Sequence, residues 1–154
     1  MPATLDDWLL LGHLLAAMAW VGGVLVLQAL ATYVLRAGDA DAVRRFCAQL
    51  RVAGPIVLGP GTALVLALGV WLALDSDAWS FDQPWLQVAL GLFAGVLAVG
   101  AGFQARAAIA AQRAAEAGDD AEAVRRLRQW TWGSRAALVL LVAIAWDMVF
   151  KPGL

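Results

Sequence analysis

The sequence predicts an all-α integral membrane protein: a four-helix bundle built as two tandem helical hairpins. A single transmembrane domain spans residues 1–154, with helices at about 8–37, 40–74, 84–117 and 120–150. Three observations lead there. Of the 154 residues, 62% are hydrophobic and 15% charged, and mean hydropathy is +0.75, whereas an ordinary soluble domain carries about 25% charged residues. The charges are clustered between long uncharged runs. A Gly-Asp step followed by paired arginines occurs twice, at an offset of 80 that slips to 81.

Between Asp7 and Arg36 lie 28 residues without formal charge, which at 1.5 Å each span roughly 40 Å, more than the ~30 Å hydrocarbon core. That run exceeds a signal peptide's apolar region of about 7–15 residues, and no Lys or Arg precedes it, so it reads as a retained first helix. Arg51 to Asp75 and Asp82 to Arg106 each enclose 23 uncharged residues, enough for a crossing of about 20. The fourth segment has only eleven between Arg135 and Asp147. Arg135 can snorkel and Asp147 sits near the far end, so Thr131 to Phe150 is expected to cross as well. Lipid offers the backbone no hydrogen-bond partners, and helices must therefore fill all four spans.

Cation placement orients the chain. Arg36, Arg44, Arg45 and Arg51 flank the first turn, and Arg106, Arg113, Arg125, Arg126, Arg128 and Arg135 flank the third. The second, from Asp75 to Asp82, has three Asp and no cation. By the positive-inside rule the first and third turns are cytoplasmic and both termini outside, in a bacterial plasma (inner) membrane. Trp8, Trp71, Trp79, Trp85 and Trp146 gather near the outer boundary as an aromatic belt would.

In the repeat, Ala37-Gly38-Asp39 and Ala42-Val43-Arg44-Arg45 recur as Ala117-Gly118-Asp119 and Ala123-Val124-Arg125-Arg126. Each Gly suits the left-handed end of one helix, each Asp suits the cap of the next, and Asp119 with Glu122 has capping-box spacing. The same offset relates Gly12, Ala16, Ala19 and Gly23 to Gly91, Gly95, Ala98 and Gly102. Such small-residue rows let backbones approach closely. They predict the first and third helices as a central pair, and they offer faces for a homodimer.

Gly54, Pro55, Gly59, Pro60 and Gly61 open the second helix and predict a kink or break. One reading is an unwound segment lining a transport cavity; the other is a tolerated kink. His13, the single histidine, lies about two turns inside the first helix. An imidazole at that depth is a functional hypothesis, as a ligand for haem iron or a proton relay, set against a histidine that ties two helices together. Leu92 occupies the equivalent place in the repeat, so a haem would need Met18, Met148, Lys151 or His13 of a second copy as its other ligand. Asp147 and Lys151, four apart, form an outer-leaflet polar site with ion-pair spacing.

Cys47 is the only cysteine, so neither an intramolecular disulfide nor a cysteine metal cluster can form. No phosphate loop, nucleophile elbow or zinc spacing occurs, and the arginines alternate with acids beside the bilayer, so neither a soluble-type enzyme nor nucleic-acid binding is expected.

At Gly12-His13-Leu14-Leu15-Ala16-Ala17, then Ala19-Trp20-Val21-Gly22-Gly23, the chain resembles small bacterial membrane proteins. These are a predicted integral membrane family of unknown function, the copper-resistance D family and the HemJ type of protoporphyrinogen oxidase. The close, Asp147-Met148-Val149-Phe150-Lys151-Pro152-Gly153, also looks like that of the unknown-function group. The resemblance implies a four-helix membrane bundle in which His13 matches the haem-ligating histidine of the HemJ type, with haem b as the implied cofactor. That type's second functional residue is a lysine in an internal helix, whereas the sole lysine here is Lys151. Met1, Met18 and Met148 make no Met-rich copper path. The function expected is therefore that of a structural or accessory membrane protein whose partner is the bilayer. Haem-binding redox activity through His13 and small-solute or copper-related transport stand as alternatives.

Overall fold

The computed structural model describes residues 4–75 and 79–153, and among them every regular element is helical. Four long helices account for nearly all of it: α1, Leu5–Ala37; α2, Ala40–Asp75; α3, Pro84–Glu116; and α4, Asp120–Phe150. Each is long and apolar enough to cross a membrane, and in no spanning stretch are more than 28% of the residues buried inside the protein. Met18, Val139, Val142 and Val149 face outward as a result. Water would penalise so much exposed apolar surface; hydrocarbon accommodates it.

Helix ends are closed by short polar residues. At the start of α1 the Thr4 hydroxyl accepts from the Asp7 N–H, while the Asp7 carboxylate accepts from the Thr4 N–H at 2.8 Å. Gly38 after α1 and Gly118 after α3 take φ of +69° and +75°, the left-handed conformation that glycine reaches without strain. Asp39 and Asp119 then cap α2 and α4, accepting from the N–H groups of Asp41 and Glu122. The capping box expected at Asp119 and Glu122 is only half made, because Glu122 turns its carboxylate to Arg125 and Arg126. A fork from Arg44 joins the two turns, its Nε and Nη2 reaching the Asp120 carboxylate at 2.8 and 2.7 Å. Both repeat copies also place an arginine on the acid three residues before it, Arg44 on Asp41 and Arg125 on Glu122.

Along α4 the buried residues Ala123, Leu127, Trp130, Ser134, Ala137, Leu141 and Ile144 recur at alternating spacings of four and three. That is a heptad seam, and α4 touches all three other helices. α1 packs on α2 and α4, while α3 packs on α4 and on the arginine-end half of α2. The pairing of α1 with α3 expected from their small residues is thus not the central contact. The two stand on a diagonal and meet through large side chains, Trp20 and Phe93, whose ring centroids are 6.0 Å apart. Of the small residues, Gly12 faces Leu68 of α2, Gly95 faces Leu140 of α4, and Ala16 packs beside the Trp20 cluster. Gly23, Gly91 and Gly102 look onto open space. A tighter approach occurs at Gly133 of α4, where a Cβ would lie 2.7 Å from Gln104 Cγ and 2.8 Å from Phe103 Cδ1.

Two stretches depart from α-helical winding. In α2 the Gly-Pro region forms a π-turn, Gly54–Leu58, so the chain widens there and continues unbroken. A wider turn makes room for the Pro55 ring against the preceding carbonyls. α3 has a second π-turn, Ala98–Gln104, which contains Gly100 and Gly102.

Gly133→Val is expected to lower stability by about 1–3 kcal/mol through forced separation of α3 and α4. Gly22→Ala, with nothing near its new methyl, should be neutral or slightly stabilising. Thermal unfolding of the detergent-solubilised chain reads both.

Candidate functional site

Three features stand apart from ordinary packing: a buried imidazole, a buried carboxylate and a cleft. His13 lies on the buried face of α1. Its Nδ1 is 3.0 Å from the Val65 carbonyl oxygen of α2. A backbone carbonyl can only accept, so Nδ1 carries the proton and Nε2 keeps its lone pair. Gly69, one turn beyond Val65, makes the seat: a Cβ there would stand 2.9 Å from His13 Cε1. No sequence motif marks Gly69. Its signal is a lone glycine mid-helix with no turn to explain it.

Among the other haem ligands the sequence offers, Met18 is exposed and Lys151 is engaged away from the ring, while Met148 packs in the apolar cluster around Trp20 and Leu141. Among the described residues no group of three His, Cys, Asp or Glu side chains is placed to hold a metal ion.

Asp147 is 1% exposed, and among the described residues neither carboxylate oxygen has a hydrogen-bond partner. The ion pair expected with Lys151 does not form. Lys151 takes a left-handed conformation, φ 42°, which ends α4 and carries its side chain off the helix face. Its Nζ lies 4.6 Å from the Trp79 ring centroid and 5.2 Å from that of Trp85. The two indoles meet edge to face at 5.8 Å, and the ammonium is held by their π-faces in place of the carboxylate.

The cleft measures about 940 Å³ and lies between α2 and α3, with Trp20 of α1 and Leu141 of α4 among its walls. Both π-turns border it, Gly54, Pro55 and Leu58 from one side and Gly100, Ala101 and Gln104 from the other. Widened turns leave the backbone less tightly wound and are frequent at functional sites. Leu66, Val96 and Leu97 make its deep part apolar, while Arg51, Gln112, Arg113 and Glu116 form its rim at the arginine end. Thr62 contributes little polarity, since its hydroxyl donates to the Leu58 carbonyl at 2.6 Å. His13 and Asp147 are not among the cleft's walls. The prolines of α2 pointed to one side of this space, but the π-turn of α3 and the cleft arginines carried no recognisable pattern in the sequence.

Gly69→Val should push the imidazole from its seat and cost about 1–3 kcal/mol, through the lost hydrogen bond and overpacking together. Asp147→Asn is expected to raise the midpoint of thermal unfolding, because it replaces at constant shape a buried carboxyl that has no partner among the described residues. A lower midpoint for Asp147→Asn would mean that the carboxylate has a stabilising partner in the membrane.

Comparison with curated proteins and with solved structures gives no match. A family described as predicted integral membrane proteins, DUF2269, matches residues 8–152. Because that match runs through all four spanning helices, the chain belongs to the DUF2269 family of predicted integral membrane proteins.

Proposed function

We propose that this protein is a non-enzymatic accessory component of the bacterial plasma membrane that holds an amphiphile in the cleft between α2 and α3. One observation carries the reading: a cleft of about 940 Å³, apolar in depth and polar at one rim, bordered by both π-turns. That size lies at the upper end of the range for ligand sites, about 300–1,000 Å³. The arginine turns face the cytoplasm and the termini face outward, a reading supported by ten of the eleven basic residues lying at one end. Gly23, Gly91 and Gly102, which look onto open space, are the faces through which a second copy would pack.

Protein purified in mild detergent should retain about one lipid-sized molecule per chain, and Gly100→Leu, which fills the cleft from α3, should lower that occupancy several-fold. Equal retention by both proteins, measured by mass spectrometry, would remove the reading. Orientation is tested separately. Cys47 is fully buried, so it is replaced by Ala and a cysteine is introduced at Ser80 or Ala117. An impermeant maleimide should label Ser80→Cys in intact cells and reach Ala117→Cys only after permeabilisation.

A second reading, haem ligation by His13, is favoured by the Val65 carbonyl on Nδ1. Metal-bound imidazoles are commonly oriented in this way, with the other nitrogen turned to the metal. Met18 is exposed and Lys151 is engaged by indoles, so the second ligand would be Met148 or His13 of a second copy. Haem-replete membranes would have to give a Soret band that vanishes in His13→Ala; colourless protein would dismiss this reading.

A further inference from the structure

Resting on the cleft reading above, we propose that the occupant is one anionic phospholipid of the cytoplasmic leaflet. Arg51 and Arg113 hold its phosphate, and an acyl chain lies along the apolar wall.

Of the ten arginines at the arginine end, six have no ion-pair partner among the described residues, and of those six only Arg51 and Arg113 line the cleft. Arg44, Arg45, Arg125 and Arg126 lie within 4.0 Å of carboxylates. Arg51 and Arg113 are exposed on the cleft rim, and among the described residues neither has an ion-pair partner. Glu116 shares that rim, but its carboxylate accepts from Gln112 Nε2 at 2.5 Å, so the rim has two guanidiniums against one engaged carboxylate. A second groove beside Arg113 is lined by Arg106 and Arg126 together with Asp119 and Glu122. Two guanidiniums suit a phosphate because each can donate two parallel hydrogen bonds to it.

Below the rim the chemistry changes. From Arg113 to Leu97 the wall of α3 descends sixteen residues, roughly 24 Å at 1.5 Å each, deeper than one leaflet's half of the ~30 Å core. Leu58, Leu66, Val96 and Leu97 line that depth, and the Thr62 hydroxyl is already committed to the Leu58 carbonyl. Apart from Gln104, a soluble solute would find little polar to bind there, while an acyl chain needs no such partner. A zwitterionic lipid would bring its own cation against Arg51 and Arg113.

The test uses the full chain, stripped of lipid in detergent and titrated with phosphatidylglycerol or with phosphatidylcholine of the same acyl chains, with adducts counted by native mass spectrometry. One phosphatidylglycerol per chain should bind in preference to phosphatidylcholine. Arg51→Gln and Arg113→Gln should each weaken phosphatidylglycerol roughly fivefold and phosphatidylcholine, whose phosphate already has a choline cation beside it, by less. Arg128→Gln, exposed but away from the cleft, should change neither, and Gly100→Leu should block both lipids. Arg51→Lys and Arg113→Lys keep the charge without the fork and should lose less than the Gln variants; thermal unfolding confirms that each variant is folded. Equal binding of the two lipids by the unsubstituted chain would overturn the assignment of an anionic lipid and leave the cleft reading standing. An equal loss in Arg128→Gln would overturn it in favour of diffuse surface charge, and dimers in place of lipid adducts would overturn it in favour of a second copy. No binding of either lipid would overturn the occupant and the cleft reading together.

Discussion

In hydrocarbon a peptide group must find its hydrogen-bond partner within the protein, and this constraint governs how the chain handles every irregular or polar residue. α2 shows it most directly. Pro55 and Pro60 have no N–H to give, and a true break would strand carbonyls in lipid. The helix widens instead: Gly59 N–H reaches back to the Gly54 carbonyl, and the Thr62 hydroxyl covers the carbonyl of Leu58. Thr32 and Thr131 act likewise on the carbonyls of Gln28 and Arg128, at 2.8 and 2.7 Å. These three hydroxyls are spent on their own helices, so they confer no affinity on the surfaces where they sit.

The same constraint assigns glycine its structural uses. A side chain can tie two membrane helices only if their backbones come close enough for it to reach a carbonyl already engaged in its own helix. His13 reaches Val65 because Gly69 leaves room for the ring, and Gly133 lets Phe103 and Gln104 lie against α4. Glycines that face open space, such as Gly22 and Gly91, make no such contact within the chain. Position in the packed bundle, rather than membership of a spaced row, decides which small residues hold helices together.

That distinction separates what was legible in the sequence from what was not. The four spans follow from charge-free length, and the turns at Gly38-Asp39 and Gly118-Asp119 from capping chemistry, because both are local properties of a few residues. The diagonal placement of α1 and α3 was hidden, since Trp20 and Phe93 are ordinary apolar residues until the bundle brings them to 6.0 Å. The π-turn of α3 was hidden as well: Ala98 and Gly102 read as packing residues, and no proline marks the widened stretch. Lys151 misled through its spacing. An i,i+4 ion pair assumes that both residues are on the helix, and the left-handed conformation at Lys151 takes it off. The cleft required two helices to be irregular at one level, which spacing within either helix cannot reveal.

The two ends of the bundle consequently treat charge in opposite ways. At the arginine end, carboxylates and guanidiniums meet at the helix starts, where water and headgroups can reach them, and each pair adds little beyond fixing one turn against the other. At the terminal end the ammonium of Lys151 is held by indoles, and the buried carboxylate of Asp147 has no partner among the described residues. An apolar residue of similar size would pack there at lower cost, so stability does not account for an acid at that position. Cation–π contact with the Trp79 and Trp85 rings occupies Lys151, the cation nearest to Asp147 in sequence. The conformation of a single residue at the end of α4 thus decides whether this end of the bundle presents a neutralised pair or a solitary carboxylate.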